Sequence, residues 1–359
     1  MVRNSVCYSD SIPALIAQLL PQIADLSQLF VLTEENVKGL CYERIRSFLP
    51  AHQLIVLKPG ERHKNLDSCS EIWHQLSASC ADRKALVLNL GGGMITDVGG
   101  FSASCYKRGI SFLNVPTTLL AMVDAAIGGK TGIDFHQIKN QIGTFNQPDG
   151  IFCCAAFLET LPVRQYRSGM AEVMKHFLIS SAEKWQSFTK LPSNNFSDLD
   201  SQFLRDAAQV KLHVVTEDPL EKGKRKTLNF GHTIGHAIES AFMEQNEELL
   251  HGEAVALGLV AESFLSFEKN WITNDELQTI SHTIFRWFQF QKSLEEFETR
   301  ILAFLQQDKK NDGHELRFAL LQPIGNCLWD VSVTPESVKS ALRFLNQKIR
   351  EHAAVPSHR

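Results

Sequence analysis

Three histidines crowd one short stretch of the chain. Asn229-Phe-Gly-His232-Thr-Ile-Gly-His236-Ala-Ile-Glu239 sets two imidazoles four residues apart, on one face of a helix, and Leu250-His251-Gly-Glu253 adds a third fifteen residues later. Neutral imidazoles on one face plus a distant third ligand are a common way to hold zinc with one coordination position open. A lone histidine reads as a satisfied core or surface residue, but three of the chain's 13 within twenty positions read as a site. Spacing leaves the ligand set open among His232, His236, His251, Glu253, Glu172 and His176. In Met170-Ala-Glu-Val-Met-Lys175-His176, Glu172 and Lys175 share a helix face, which taken alone predicts an i,i+3 ion pair.

Two further stretches suit phosphate. Gly91-Gly-Gly-Met-Ile-Thr-Asp-Val-Gly-Gly100 follows an apolar run, and glycines at a strand-to-helix turn let backbone N–H groups approach a phosphate that the helix dipole favours. Gly91 and Gly93 fit a dinucleotide fingerprint, but Thr96 stands where its third glycine would be and no acidic residue lies about 20 positions on. The expectation is a pyrophosphate cradle of non-Rossmann type, with a plain tight turn as the alternative. Asp97 is expected in the first helical turn as a dipole-favoured carboxylate. The second stretch runs through Val115-Pro-Thr-Thr118, Asp124, Gly128-Gly-Lys-Thr-Gly132 and Lys139-Asn140. Its Gly-Gly-Lys-Thr looks like the end of a nucleoside-triphosphate loop, but Asp124 occupies the first glycine position of that pattern, so the triphosphatase reading fails. What survives is a set of cation and amide donors suited to a phosphate monoester or a cofactor, against the plainer reading of solvated lysines.

Lys211 and the run Lys222-Gly-Lys-Arg-Lys226 are basic, but Glu217, Asp218 and Glu221 precede the run and nothing aromatic is interleaved. A solvated face or small-anion site is expected there, not nucleic acid. Arg225, four residues before Asn229, is expected to enter the histidine helix and meet an anion with a bidentate fork.

The elements that must position these groups change character near residue 155. Leu29–Thr33, Gln53–Lys58, Ala85–Leu90 and Ser111–Val115 are short apolar runs separated by 18 or more residues, which is βαβ spacing, and Ile151–Ala155 adds another. Runs apolar on both faces predict a parallel sheet covered by helices, with ligands at the carboxyl ends of its strands. Beyond it the period becomes 3.6, over Arg164–Ser181, Asp198–Val215, Gly231–Met243, Gly252–Lys269 and Asp275–Phe290, with one small strand at Leu316–Leu321. The chain's 359 residues are too many for one ordinary core. Two domains are expected, an α/β nucleotide-binding domain over residues 1–155 and an all-α metal- and substrate-binding domain over 156–359.

Charged residues at 21%, hydrophobic ones at 44% and a net charge of −4 exclude a disordered acidic tail and give no bulk-charge sign of nucleic-acid binding. The amino-terminal stretch lacks a signal-peptide apolar run, and Ile110–Gly129, the most apolar stretch, carries Asn114, Pro116 and Asp124, so no membrane span is expected. Eight cysteines without a CxxC read as reduced core thiols of a cytoplasmic enzyme.

Taken in order, GGGMITDVGGF, YKRG, VPTTLLAMVD, GGKTG, KNQIGTFNQP, SGMAEVMK, TLNFGHTIGHAIE, LHGEAVALG and DKKNDG resemble the 3-dehydroquinate synthase family, from about Glu61 to about Arg317. The resemblance implies NAD⁺, one divalent metal (zinc or cobalt) and a homodimer. It implies a phosphorus–oxygen lyase of the shikimate route to chorismate and the aromatic amino acids, converting 3-deoxy-D-arabino-heptulosonate 7-phosphate to 3-dehydroquinate and phosphate. Glu172, His232 and His251 match the family's metal ligands, and His236 a catalytic histidine that is not a ligand. Glu61, Lys64, Gly92, Gly93, Asp97, Thr117, Thr118, Asp124, Lys130, Lys139 and the Phe157–Thr160 segment match cofactor contacts. Asp124, Lys130, Asn140, Lys175, Lys211, Arg225, Asn229, His236 and the Lys309-Lys310 pair, Lys309 favoured, match substrate contacts, and Arg108 resembles an arginine that reaches the neighbouring subunit's site.

The implied reaction oxidises the carbon 5 hydroxyl, loses phosphate by β-elimination from the acidified neighbouring C–H, returns the hydride, opens the ring and closes a carbocycle by intramolecular aldol reaction. Lys130, Asn140, Lys309 and His236 are expected around the phosphate, and Lys211, Arg225 and Asn229 around the carboxylate or nearby hydroxyls. Thr96, Asp134 and Ile138 depart from the family's usual residues at cofactor and loop positions. Sister sugar-phosphate cyclases and metal-dependent polyol dehydrogenases of similar fold are the alternatives; Lys175, Lys211, Arg225, Asn229 and His236 together favour a carboxylate-bearing substrate.

Overall fold

The structure, a computed structural model, describes residues 5–24, 26–136, 138–193, 200–245, 247–290, 292–308 and 316–353. The chain divides into two compact units, residues 1–166 with 198–212, and residues 167–197 with 213–359.

The first unit is built on a six-stranded sheet of β1 (Ser5–Ser9), β2 (Leu29–Glu34), β3 (Gln53–Leu57), β4 (Leu86–Gly91), β5 (Ser111–Pro116) and β8 (Gly150–Cys154), in the order β1-β8-β5-β4-β2-β3. Every neighbouring pair is parallel. β2 and β4 are buried at each position, as strands covered on both faces must be. The expected strands lie within a residue or so of the observed ones; β1, too short and mixed to give a pattern, was not expected. Two strands that no expected run covers, β6 (Lys130–Phe135) and β7 (Ile138–Phe145), pair antiparallel as a separate hairpin.

The helix Gly93–Cys105 lies directly against the sheet. A Cβ at Gly99 would sit 1.9 Å from Asn89 Oδ1, so only glycine allows this approach. Asn89 in turn donates to Asn114 at 2.9 Å, its register partner on β5. The same register sets Gly91 opposite Pro116, and the Thr117 N–H donates to Gly91 O at 3.0 Å. The glycine turn and the Thr117-Thr118 pair therefore share the carboxyl end of the sheet.

The second unit is mostly helical. His232–Glu244, His251–Glu268, Asn274–Trp287, Glu298–Asp308 and Pro335–Ala353 belong to it, with most of Val163–Ser180. An antiparallel hairpin of β9 (Leu316–Leu321) and β10 (Cys327–Val333) accompanies them. β9 was expected and β10 was not. His251–Glu268 is buried almost all round and forms the unit's axis. Its neighbour His232–Glu244 meets it through glycine, since a Cβ at Gly258 would lie 1.9 Å from Gly231 O.

Among the described residues no helix is long and apolar enough to cross a membrane. All eight cysteines are free; five are buried, but Cys80 and Cys105 are exposed and Cys7 is half-buried, so not all are core thiols as expected.

Candidate active site

In the second unit the histidines gather around Glu172. His232 opens its helix, His251 opens the next, and Glu172 stands in the middle of Val163–Ser180. The Glu172 carboxylate is fully buried, and the groups that reach it are one lysine and two imidazoles. Lys175 forms the expected ion pair with one oxygen, while His232 Nε2 and His251 Nε2 approach the other at 3.3 and 3.5 Å. Metal–ligand bonds of about 2.1 Å in a tetrahedron imply ligand–ligand edges of about 3.4 Å. Glu172 thus stands from each imidazole at the separation a shared divalent cation requires, and a fully buried carboxylate facing two imidazoles is chemically suited to one. His236, more exposed, forms with His232 and His251 a second set whose ligand atoms lie within 4.8 Å of one another.

Charge follows from burial and neighbours. Burial opposes ionisation of Glu172, yet Lys175 and His232 hold its carboxyl well below the usual range. Burial, reinforced by Lys175, pushes the His232 imidazole down and keeps it neutral, the form that ligates. Burial also pulls on His251, but bonds to Glu172 and Glu239 prevail and raise it to about 9. Glu239 faces His251 Nδ1 at 3.5 Å. Glu239 stands seven residues along the helix from His232, and its pairing with His251 is not signalled by the sequence spacing. Glu253 accepts the Leu250 N–H at 2.8 Å at its own helix start.

A cavity of about 270 Å³ opens beside these histidines, lined by Asn229, His232, His236, Lys226, Arg317 and Trp329 among others. Asn229 donates to Glu221 at 3.2 Å. Arg225 departs from expectation: it lies in the 3₁₀ segment Lys224–Asn229, ahead of the helix, and its buried guanidinium donates to Pro219 O at 2.7 Å. Part of its fork is committed to the fold because the backbone folds over it there. Lys309 and Lys310 lie outside the described residues.

The first unit holds the remaining candidates. The helix Gly93–Cys105 begins at Gly92 with no side-chain cap, so its first N–H groups point out from the carboxyl end of β4, as a phosphate site requires. Thr117 Oγ1 is buried without a partner; a bound cofactor with a polar group there would satisfy it. Asp97 lies in the second turn and not the first, and its partner is Lys64 at 2.6 Å, not the helix dipole. Lys64 also reaches Asn140 Oδ1 at 2.6 Å and Glu61 at 3.5 Å. Lys211 Nζ bonds Asp124 twice, at the carboxylate and at the backbone carbonyl, both 2.8 Å. Thr118 accepts the Ala121 N–H, Phe157 is fully buried, and Thr160 Oγ1 donates to Phe157 O at 3.2 Å. Lys130 opens β6, Lys139 and Asn140 lie at the start of β7, and Arg108 is exposed.

The departures noted in the sequence are accommodated. Thr96, in place of glycine, donates to Gly93 O at 3.0 Å inside the helix start. Asp134 accepts the Asn140 N–H at 2.8 Å and helps hold Asn140 at φ +52. Ile138 is the first residue of β7.

Comparison with known proteins gives one answer along most of the chain. The family model described as 3-dehydroquinate synthase N-terminal matches residues 54–168, and 3-dehydroquinate synthase C-terminal matches residues 169–311. A 3-dehydroquinate synthase of Parabacteroides distasonis is 40% identical over 89% of this chain and 92% of its own length. One from Leptospira interrogans is 37% identical over 91% of each. Among solved structures, a 2-epi-5-epi-valiolone synthase from Streptomyces hygroscopicus with NAD⁺ and Zn²⁺ bound superposes at a TM-score of 0.85, with 26% identity over 97% of this chain and 98% of that one. Two family models end to end, and identities this high over nine-tenths of the chain, leave one assignment for a chain whose histidines, glycine turn and buried glutamate stand as described: it belongs to the 3-dehydroquinate synthase family.

Proposed function

We propose that the chain converts 3-deoxy-D-arabino-heptulosonate 7-phosphate to 3-dehydroquinate and inorganic phosphate, using NAD⁺ and one divalent metal, Zn²⁺ or Co²⁺. The observation that carries the metal part of this reading is the buried Glu172 carboxylate with His232 and His251 each at a tetrahedral edge distance from it. Glu172, His232 and His251 would hold the metal. Gly92, Gly93 and Thr117, with Glu61, Lys64, Asp97, Thr118, Asp124, Lys130, Lys139, Phe157 and Thr160, would hold NAD⁺. When bound, NAD⁺ supplies a reversible hydride acceptor and the metal a Lewis acid for hydroxyl oxygens.

The chain's own groups do the rest. One carboxylate against two neutral imidazoles leaves a bound dication with net positive charge, which favours binding of hydroxyl oxygens. Lys175, buried beside Glu172, holds a fixed positive charge next to the ligands. His236, exposed to the cavity at a ring distance of 5.1 Å from His232, is placed to accept or donate a proton or to bond a phosphate oxygen. Lys130, Asn140 and Lys309 bind phosphate, and Lys211, Arg225 and Asn229 orient the carboxylate end; Lys211 would exchange a bond to Asp124 for one to substrate. Residues 1–155 then serve chiefly the nucleotide and residues 156–359 the metal, in a cytoplasmic homodimer that presents Arg108 to its neighbour.

The test is direct. Metal-loaded protein given the heptulosonate phosphate and a catalytic trace of NAD⁺ should release stoichiometric phosphate with no lasting NADH absorbance. Lasting NADH would identify a dehydrogenase instead, and turnover of another sugar phosphate alone would identify a sister cyclase. His251→Ala should abolish metal-dependent turnover and leave NAD⁺ binding largely intact; equal loss of both would make that histidine structural.

A further inference from the structure

Resting on the metal reading above, we propose that Glu262 and Ser168 are positioning residues that fix the spacing of the metal ligands by capping one ligand-bearing helix from the next. The histidine helix His232–Glu244 starts at Gly231, a left-handed residue with φ +82 and no side chain, so it has no cap of its own. The carboxylate of Glu262 takes that place from the neighbouring helix. It is fully buried and accepts the Gly231 N–H at 2.6 Å and the Ile234 N–H at 2.9 Å, the two donors on either side of His232 and its neighbour Thr233. Glu262 belongs to the helix that begins with His251, so one side chain ties the backbone around one imidazole to the helix that carries the other.

The start of that second helix is held in the same manner. The Gly252 N–H, adjacent to His251, donates to the buried Ser168 Oγ at 3.0 Å. Ser168 lies one turn before Glu172 on Val163–Ser180. Backbone contact leaves no slack, because a Cβ at Gly252 would lie 1.9 Å from Ser168 O. Three helices carry Glu172, His251 and His232, and each successive pair is joined by a buried side chain at a helix start, within one or two residues of a histidine. A carboxyl group enclosed by protein is costly for general stability alone, and burial pushes Glu262 up to about 8 against the pull of the N–H groups it binds. Its placement is explained if it holds ligand atoms at distances the metal can use without reorganisation.

The experiment uses the full-length, metal-stripped protein and reads Zn²⁺ affinity by chelator competition, with NAD⁺ affinity and melting temperature measured on each variant. Glu262→Leu should weaken Zn²⁺ binding by about 10–100-fold, the range for residues behind metal ligands, with NAD⁺ affinity unchanged. Glu262→Gln keeps a carbonyl acceptor for one of the two N–H groups and should recover most of the loss. Ser168→Ala should weaken Zn²⁺ binding in the same direction. A lower melting temperature with wild-type Zn²⁺ affinity in Glu262→Leu and Ser168→Ala would reduce both residues to structural caps and overturn the proposal. If Glu262→Leu does not fold, Ser168→Ala and the smaller deficit of Glu262→Gln decide, and wild-type affinity in both overturns it. Failure of the wild-type protein to bind one equivalent of Zn²⁺ would overturn the metal reading itself, a result distinct from equal binding by wild type and variants.

Discussion

At His251 a metal and a proton compete for one nitrogen, the Nε2 that faces Glu172. In the metal-free protein the imidazole is raised to about 9 by Glu172 and Glu239, so at neutral pH it carries a proton that a cation must displace. His232 is pushed below its ordinary value and is already neutral, so it adds no further proton above pH 7. One proton released per metal means that affinity rises about tenfold per pH unit from pH 7 towards 9 and then levels. Competition titrations with Co²⁺ at several pH values measure that slope; a flat profile would place the proton elsewhere. The histidines were legible in the sequence because imidazoles are few and their spacing is helical. Their carboxylate partner was legible only in part: spacing left Glu172 one of six eligible ligands beside its ion pair with Lys175, the family resemblance singled it out, and the fold buries it against His232 and His251. Glu239, Glu262 and Ser168 act through contacts between helices, to which a one-dimensional pattern is blind.

Elements impose tolerances of their own. Gly252 lies where the start of one helix rests on the backbone of another, and a methyl group there would overlap Ser168 O. Gly252→Ala must therefore spread the two helices, an overpacking cost of about 1–3 kcal/mol, read as a drop of roughly 2–4 °C per kcal/mol for a unit of this size. It should also weaken metal binding, because the shift moves His251 relative to Glu172; calorimetry with and without Zn²⁺ separates the two effects, and a smaller Zn²⁺-induced stabilisation than in wild type is the expected result. Long periodic stretches were read well: the expected helix Gly252–Lys269 is observed as His251–Glu268, and the apolar run of β4 is buried on both faces. Short or irregular strands were not. β6 and β7 alternate small, polar and glycine residues across a two-stranded hairpin, so Gly128-Gly-Lys-Thr-Gly132 resembles a loop until its pairing is seen. β10 is broken by a register shift between Leu328 and Val331, with Asp330 at φ +56, which destroys the alternation that would mark a strand.

For the whole molecule the open question is whether one protomer completes another's site. Arg108 follows the helix Gly93–Cys105 and is exposed on a turn where Lys107, Arg108 and Gly109 all take positive φ. That helix begins at the glycine turn, and 13 residues at 1.5 Å each put its far end about 20 Å from the phosphate-facing N–H groups. An arginine side chain does not span that distance, so Arg108 cannot serve the glycine turn of its own chain. A closed two-fold dimer, the commonest homo-oligomer, would let it serve the partner's site. The prediction is complementation. If the proposed homodimer forms, Arg108→Ala protein and His251→Ala protein are each expected to be nearly inactive. In a mixed dimer, the site with an intact His251 receives an intact Arg108 from the other protomer, whereas the second site lacks both. Random exchange in an equal mixture makes half the dimers mixed, each with one working site, so activity should recover to about a quarter of the wild-type value. If Arg108 acts within its own chain, subunit exchange verified by sedimentation of tagged protomers would leave the mixture as inactive as its parts.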